Sequence, residues 1–349
     1  MASRWVRFGV VPLVVAAVAV PLVAVVLILT QPPQAVVAPS GQGLDFGGLA
    51  AWHQVPPLQS YVARDGTTLA YRHYGSAGAG APRPLLVMVH GSGWHGLQYH
   101  GLARRVAQGG MAEVLVPDLR GHGVNPSRRG DVAYVGQLED DLADLVQTRR
   151  QPGQPVVFLG HSSGGGLVVR FAGGPHGALL DGAILLAPFL QHDAPTTRAQ
   201  SGGWAHPLIR RIIGQTVLHQ LGVRAFDGLT AVQFAFPQAI LDGPLGHTAT
   251  SAYSYRMMVS FAPRRHYAAD VAQLPPFLLV AGARDEAFVA EAYAPLMQAS
   301  STRGTYQIVP GIGHLAVVDH EATWQAIQTW WRDHALTGPA AAVASPPLP

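Results

Sequence analysis

The sequence predicts an α/β domain built on a doubly wound, mostly parallel sheet. Short, nearly continuous apolar runs recur along the chain, and such runs are typical of strands buried on both faces of a parallel sheet. Segments with helical spacing separate them, and this alternation implies crossover connections. The 349 residues, 48% of them hydrophobic, are enough for one large domain or two small ones.

The predicted elements follow one another in a regular order. The first strand, TLAYRHYG, comes after the turn RDGT and is expected at the edge of the sheet. The buried strands after it are PLLVMVHG, EVLVPD, PVVFLG, GAILLAP, PFLLVAG and TYQIVPG. In the segment LEDDLADLVQTRR, Leu138, Leu142 and Leu145 share one helical face. The segment WQAIQTWW closes the domain in the same way.

One interval, about 189–272, breaks this rhythm. It contains no clear buried strand but several amphipathic or aromatic segments, such as WAHPLIRRIIGQTVLHQL and SAYSYRMMVSF. An insertion of this length between two core strands predicts a helical cap over the sheet.

The N-terminus predicts a membrane anchor. No charged residue occurs from Phe8 to Leu29, and a helix of that length crosses the ~30 Å hydrocarbon layer. Arg4 and Arg7 precede it, so the positive-inside rule predicts that the rest of the chain is extracytoplasmic. The alternative is a signal peptide that is cleaved to secrete the protein, although its apolar core is normally only about 7–15 residues long.

The predicted organisation is therefore an anchor over residues 1–30 and a linker over 31–57. The predicted α/β domain over 58–335 follows, and then a disordered tail over 336–349. The linker is rich in Pro, Gly, Gln and Ala, and the tail reads LTGPAAAVASPPLP.

Composition excludes several classes of chemistry. There is no cysteine, so disulfides, thiolate nucleophiles and cysteine-based zinc sites are excluded. All 23 basic residues are arginine, which excludes a catalytic lysine or Schiff base. The net charge of +3 is thinly spread, so nucleic-acid binding is not expected.

The stretch FLGHSSGGGLVVRF places Ser162 in a G-x-S-x-G pattern, flanked by Gly160 and Gly164. A predicted strand precedes it and a predicted helix follows, which is the setting of a nucleophile elbow. The glycines let strand and helix approach closely while the turn exposes the serine hydroxyl. A flexible glycine loop is the alternative, because the chain has 40 glycines.

A serine nucleophile needs a base, and the base needs an acid that orients it. Asp285 follows the strand PFLLVAG, with Glu286 as its rival, and His314 follows TYQIVPG. Both positions lie at carboxyl ends of later strands, in the order Ser, acid, His. Asp285 as a helix cap and His314 as a surface histidine are the alternatives. The three together predict a catalytic triad.

The oxyanion of such a reaction needs backbone N–H donors. We expect one from Ser163, directly after the nucleophile, and the other from Ser92 in the loop after PLLVMV. Asp118 precedes the nucleophile, and we interpret it as a structural residue. The spacing of His90, His95 and His100 does not place them on one helical face. We therefore expect neither a metal ion nor an organic cofactor.

On these residues the chain resembles the α/β-hydrolases, and among them the monoacylglycerol lipase and lysophospholipase branch, which is serine aminopeptidase S33-like. The resemblance covers about Leu58 to His334, through HGSGWHG, DLRGHG, GHSSGG, ILLAPFL, GARDEAF and PGIGHL. It implies that the nucleophile, acid and base of the family correspond to Ser162, Asp285 and His314. It departs at Trp94, where that branch often has a glutamate.

The resemblance implies a serine esterase or lipase that cleaves carboxylic esters, with monoacylglycerols or lysophospholipids drawn from a membrane as its expected substrates. Acyl transfer, peptide hydrolysis with the same triad, and a non-catalytic binding protein on this fold are the alternatives. Apolar residues of the cap are candidates for an acyl pocket, or else they pack the cap against the sheet. These are Trp204, Leu208, Ile209, Ile212, Ile213, Phe234, Phe236, Tyr253, Tyr255, Met257 and Met258.

Overall fold

The computed structural model describes residues 17–38, 44–46, 54–77, 83–124 and 126–334. The predicted tail, 336–349, and residues 1–16 of the predicted anchor lie outside these ranges. The strands are β1 (Leu58–Val62), β2 (Thr68–Tyr74), β3 (Leu85–Val89), β4 (Glu113–Pro117), β5 (Val156–His161), β6 (Gly182–Leu186), β7 (Ala205–Pro207), β8 (Thr230–Phe234), β9 (Ala252–Ser254), β10 (Phe277–Gly282) and β11 (Gly304–Val309).

The central sheet has eight strands in the order β1-β2-β4-β3-β5-β6-β10-β11. β2 pairs antiparallel with β1 and β4, and the other neighbours pair parallel. Strands β3, β5, β6 and β10 are buried at every position, which is why they appear in the sequence as unbroken apolar runs. The predicted mostly parallel sheet is confirmed.

The helices surround this sheet. The described part of α1 covers residues 17–29. The others are α2 (His100–Gln108), α3 (Gln137–Arg149), α4 (Ser163–Ala172), α5 (Ile209–Gln220), α6 (Gln238–Leu241), α7 (Tyr255–Phe261), α8 (Tyr267–Gln273), α9 (Tyr293–Gln298) and α10 (Glu321–Asp333). Helix α4 packs against β5 and β6, so it starts directly behind the end of the central strand.

The insertion between β6 and β10 is not purely helical, and this part of the prediction was wrong. It contains helices α5 to α8 and a three-stranded antiparallel sheet in the order β7-β8-β9. The outer two strands have only three residues each. Segments this short show no alternation of apolar and polar residues that the sequence could reveal.

The N-terminal segment lies against the cap. Ala24 and Ile28 of α1 are buried against Leu218 of α5. A Cβ at Gly214 would collide with the carbonyl oxygen of Ala24, so the two helices cross closely. Within the described residues, no helix has both the length and the hydropathy needed to cross a bilayer.

Candidate active site

Ser162 lies on a strained turn between β5 and α4. Its φ of 56° and ψ of −124° place a residue with a side chain in backbone space that usually requires glycine. A Cβ at Gly160 would collide with the carbonyl of Gly164, and a Cβ at Gly164 would collide with the carbonyl of Val89. The two glycines therefore allow the close approach that the turn needs.

Asp285 and His314 come together at the carboxyl ends of β10 and β11. His314 Nδ1 lies 2.8 Å from Asp285 Oδ2, and both residues are 2% exposed. The other carboxylate oxygen, Oδ1, accepts hydrogen bonds from the amides of Ala287 and Phe288, each at 2.8 Å. Asp285 is thus fixed at one oxygen and pairs with the imidazole through the other.

Glu286, the alternative acid, binds the backbone of His314 and not its imidazole ring. Its Oε2 accepts the His314 amide N–H at 2.6 Å. A Cβ at Gly313 would lie 2.6 Å from its Oε1, so the loop packs directly on this carboxylate. Asp285 therefore pairs with the imidazole, while Glu286 binds the backbone of the loop that carries it.

The surroundings of Asp285 keep its carboxylate charged. Burial raises the pKa of Asp285, but the charge and hydrogen bond of His314 and the two backbone amides lower it further, so its pKa lies below the usual range. A charged acid at this position stabilises a positively charged imidazole.

His161 packs against the loop that carries His314. Its Nε2 lies 2.9 Å from the carbonyl oxygen of His314, and the two rings are 4.5 Å apart, centroid to centroid. Burial, and then the charge of His314, lower the pKa of His161 to about 3. His161 therefore stays neutral near neutral pH, and its Nε2–H donates to that carbonyl.

The predicted oxyanion loop, residues 90–93, is clamped between the elbow and the cap. The Gly93 amide donates to the Tyr253 hydroxyl at 2.8 Å, and Trp204 Nε1 donates to Ser92 Oγ at 3.1 Å. A Cβ at Gly91 would lie 3.3 Å from the Cβ of Ser162. The loop that carries the Ser92 amide thus passes directly beside Ser162.

A cavity of about 310 Å³ opens over these residues and is lined by both Ser162 and His314. Its volume is in the range of small-molecule sites. Of the eleven apolar cap candidates, only Trp204 and Phe236 line it. The other described residues that line it are Leu44, Asp45, Phe46, Gly91, Ser92, Trp94, Gln98, His161, Leu315, Ala316, Val318, Asp319 and His320.

Comparison with known proteins places this site in a family. Residues 80–321 match the model described as serine aminopeptidase, S33. The chain belongs to the serine aminopeptidase S33 family. Its fold is that of the α/β-hydrolases.

Two further similarities concern lipases. The chain is 34% identical over 92 residues to a monoacylglycerol lipase of Mycolicibacterium smegmatis, a stretch that covers 26% of this chain and 32% of that protein. The matched stretch thus spans about a third of that relative. A soluble variant of the Saccharomyces cerevisiae monoglyceride lipase shares the fold, with a TM-score of 0.60, 18% identity, and coverage of 81% and 96% of the two chains.

A third similarity covers most of this chain. A bacterial membrane phospholipase A aligns over 95% of this chain and 99% of its own, with a TM-score of 0.55 and 18% identity. At that identity the alignment shows a common fold only.

Several residues of this S33 site had no signal in the sequence. His161 occupies a variable position of the G-x-S-x-G pattern, and Leu44 and Phe46 belong to the predicted linker. The roles of Asp285 and Glu286 differ only in which hydrogen of His314 each accepts. Tertiary contacts alone distinguish these cases.

Proposed function

We propose that the protein is a serine hydrolase that cleaves carboxylic esters through an acyl-enzyme on Ser162. The observation that carries the proposal is the common cavity of Ser162 and His314, with Asp285 bound to the far side of the imidazole. Acyl transfer on a serine requires a base in the same site as the nucleophile and an acid that orients the base.

In the first step, Ser162 Oγ attacks the carbonyl carbon of the ester and its proton passes to His314 Nε2. The carbonyl electron pair moves onto oxygen, where the Ser92 and Ser163 amides donate hydrogen bonds, each contributing about 10²–10³ in rate. The intermediate then collapses, and the leaving alcohol takes the proton from His314.

In the second step, water attacks the acyl-enzyme while His314 accepts its proton. Collapse releases the carboxylic acid and returns the proton to Ser162 Oγ. Throughout, the charged Asp285 keeps the Nδ1–H of His314 pointing away from the reaction. No step requires a group that the chain lacks.

The substrate class we propose is a lipid acyl ester such as a monoacylglycerol or a lysophospholipid. The wall of the cavity is largely apolar and includes Trp94, Trp204, Phe236 and Val318, which suits an alkyl chain. The similarity to monoacylglycerol lipases supports the same class.

We also propose that α1 lies at a lipid bilayer, as part of the predicted anchor. Val18, Leu22 and Leu29 of α1 are 65%, 63% and 65% exposed. Ile209 and Ile213 on the neighbouring α5 are exposed as well. Exposed apolar surface of this kind marks interaction sites, and a bilayer would supply the ester. Flotation of the full chain with phosphatidylcholine vesicles tests this, and protein that stays at the bottom of the gradient contradicts it.

A substrate panel tests the proposed activity. Monoacylglycerols, lysophosphatidylcholine, p-nitrophenyl esters of two to sixteen carbons and aminoacyl p-nitroanilides are compared on the same preparation. We expect ester cleavage that rises with chain length and is absent in Ser162→Ala. Preference for the anilides indicates a peptidase, and a peak at two to four carbons contradicts the lipid substrate. Added glycerol distinguishes acyl transfer, because it would yield a new ester.

A further inference from the structure

A short segment that precedes the predicted hydrolase domain in sequence reaches the substrate cavity. Leu44, Asp45 and Phe46 line the same cavity as Ser162, although they lie outside the predicted domain, 58–335. Leu44 is 8% exposed and belongs to the main hydrophobic core. This segment therefore packs into the domain at the place where substrate would enter or lie.

Phe46 rests on the two cap aromatics of the cavity. Its ring centroid lies 5.8 Å from that of Trp204 and 5.8 Å from that of Phe236, distances typical of favourable aromatic pairs. Trp204 is the residue that donates to Ser92 Oγ. Phe46 thus forms one continuous apolar surface with side chains that hold the oxyanion loop.

The chain leading to this segment is fixed to the cap by specific contacts. The Ala38 amide donates to the carbonyl of Phe236 at 3.1 Å, next to a parallel bridge between Val37 and Phe236. Further back, the Gln34 amide donates to Gln233 Oε1 at 3.1 Å. The N-terminal segment therefore follows β8 toward the cavity as an added element of the cap.

We propose that Leu44 and Phe46 are specificity-determining residues that form a wall of the substrate site and contact the acyl chain of the ester. The proposal rests on the proposed esterase function. A residue that only covered the cap would lie outside the cavity, whereas both of these line it. The side chains present carbon surface, so an alkyl chain long enough to reach them gains affinity and a short acyl group does not.

Two pairs of variants test the wall. Phe46→Ala removes the ring and Phe46→Leu keeps an apolar side chain. Leu44→Ala is matched by Leu58→Ala, which removes a half-exposed leucine on β1 away from the cavity. The measurement is kcat/KM for p-nitrophenyl acetate, octanoate and dodecanoate, with thermal melts of each variant. Rates of inactivation by short and long alkyl fluorophosphonates, followed by intact mass, give a second readout.

We expect Phe46→Ala to lower kcat/KM for the dodecanoate about tenfold and to change that for the acetate less than about twofold. For Phe46→Leu we expect a smaller loss of kcat/KM for the dodecanoate, and for Leu44→Ala a loss similar to that of Phe46→Ala. For Leu58→Ala we expect the kcat/KM values of the unmodified protein. Inactivation by the long phosphonate slows in parallel.

Equal changes at every chain length, or none, overturn the wall proposal. If Phe46→Ala fails to fold, an unchanged profile in Phe46→Leu and Leu44→Ala overturns it equally. In both cases, ester cleavage that still depends on Ser162 leaves the proposed function intact. An unmodified protein without ester cleavage overturns both.

Discussion

Replacing Asp285 by asparagine changes one atom at the hydrogen bond that orients the base. The amides of Ala287 and Phe288 both donate to Oδ1, so the oxygen of an asparagine stays at that position. Its NH₂ group then occupies the place of Oδ2, 2.8 Å from His314 Nδ1. A donor there can pair only with an unprotonated Nδ1.

The proton of the neutral imidazole must therefore move to Nε2. That atom is the one that has to accept the proton of Ser162, so the base is lost while the fold is kept. Loss of the charged carboxylate also removes the partner of the imidazolium. A wrong tautomer of this kind lowers kcat by about 10⁴, or ~5.4 kcal/mol in activation free energy.

Glu286→Gln is the matched comparison, since it alters the neighbouring carboxylate by the same atom. A glutamine oxygen still accepts the His314 amide, which Glu286 Oε2 now binds at 2.6 Å. Only the charge assistance of that bond is lost, at about 1 kcal/mol. We expect kcat to fall no more than about fivefold.

The assay is kcat on p-nitrophenyl octanoate, with thermal melts to show that both variants fold. A loss of about 10⁴ in Asp285→Asn beside a small change in Glu286→Gln supports the assignment. If the two variants lose activity equally, or if Asp285→Asn stays within tenfold of the unmodified protein, the reasoning is refuted.

Three further predictions concern the elbow and one buried histidine. Ser163→Ala should keep kcat within about fivefold, because only its amide is used, whereas Ser162→Ala should abolish turnover; equal losses would mean that the turn has been misinterpreted. Gly164→Ala should lower the yield of folded protein or destabilise it by about 3 kcal/mol or more, because its Cβ would collide with the Val89 carbonyl. Gly75 has open space around it, so the free energy of unfolding of Gly75→Ala should lie within about 0.5 kcal/mol of that of the unmodified protein. Burial lowers the pKa of His95 to about 3 from 6.5, so the unfolded state takes up the proton first as pH falls below 6.5. His95 should then contribute about 2 kcal/mol to the fall in the free energy of unfolding between pH 7.5 and 5. Urea titrations of His95→Gln should show a fall that is smaller by this amount, and an unchanged pH dependence would contradict the prediction.

Much of the fold could be predicted because parallel strands buried on both faces leave unbroken apolar runs. The G-x-S-x-G pattern around Ser162 was informative for a similar reason, since the sequence predicts a strand before it and a helix after it. The carboxyl ends of parallel strands converge at one edge of the sheet. That rule is why Asp285 and His314 could be expected near Ser162, and the structure brings Asp285 and His314 into hydrogen-bond contact.

The rest depended on contacts between distant parts of the chain. β7 and β9 are too short to produce a pattern. The aromatic contacts of Phe46 link it to side chains more than 150 positions away, and a segment rich in Pro and Gly gives no periodicity from which to infer them. Likewise, no sequence pattern separates a carboxylate on an imidazole from one on a backbone amide.

The central claim is that Ser162 carries the acyl group. Intact-protein mass spectrometry after treatment with a fluorophosphonate, followed by peptide mapping, tests it most directly. We predict one adduct per chain, located on Ser162, absent from Ser162→Ala and retained by Ser163→Ala. An adduct on another residue, or a folded and ester-cleaving protein that is not modified at Ser162, would contradict the account.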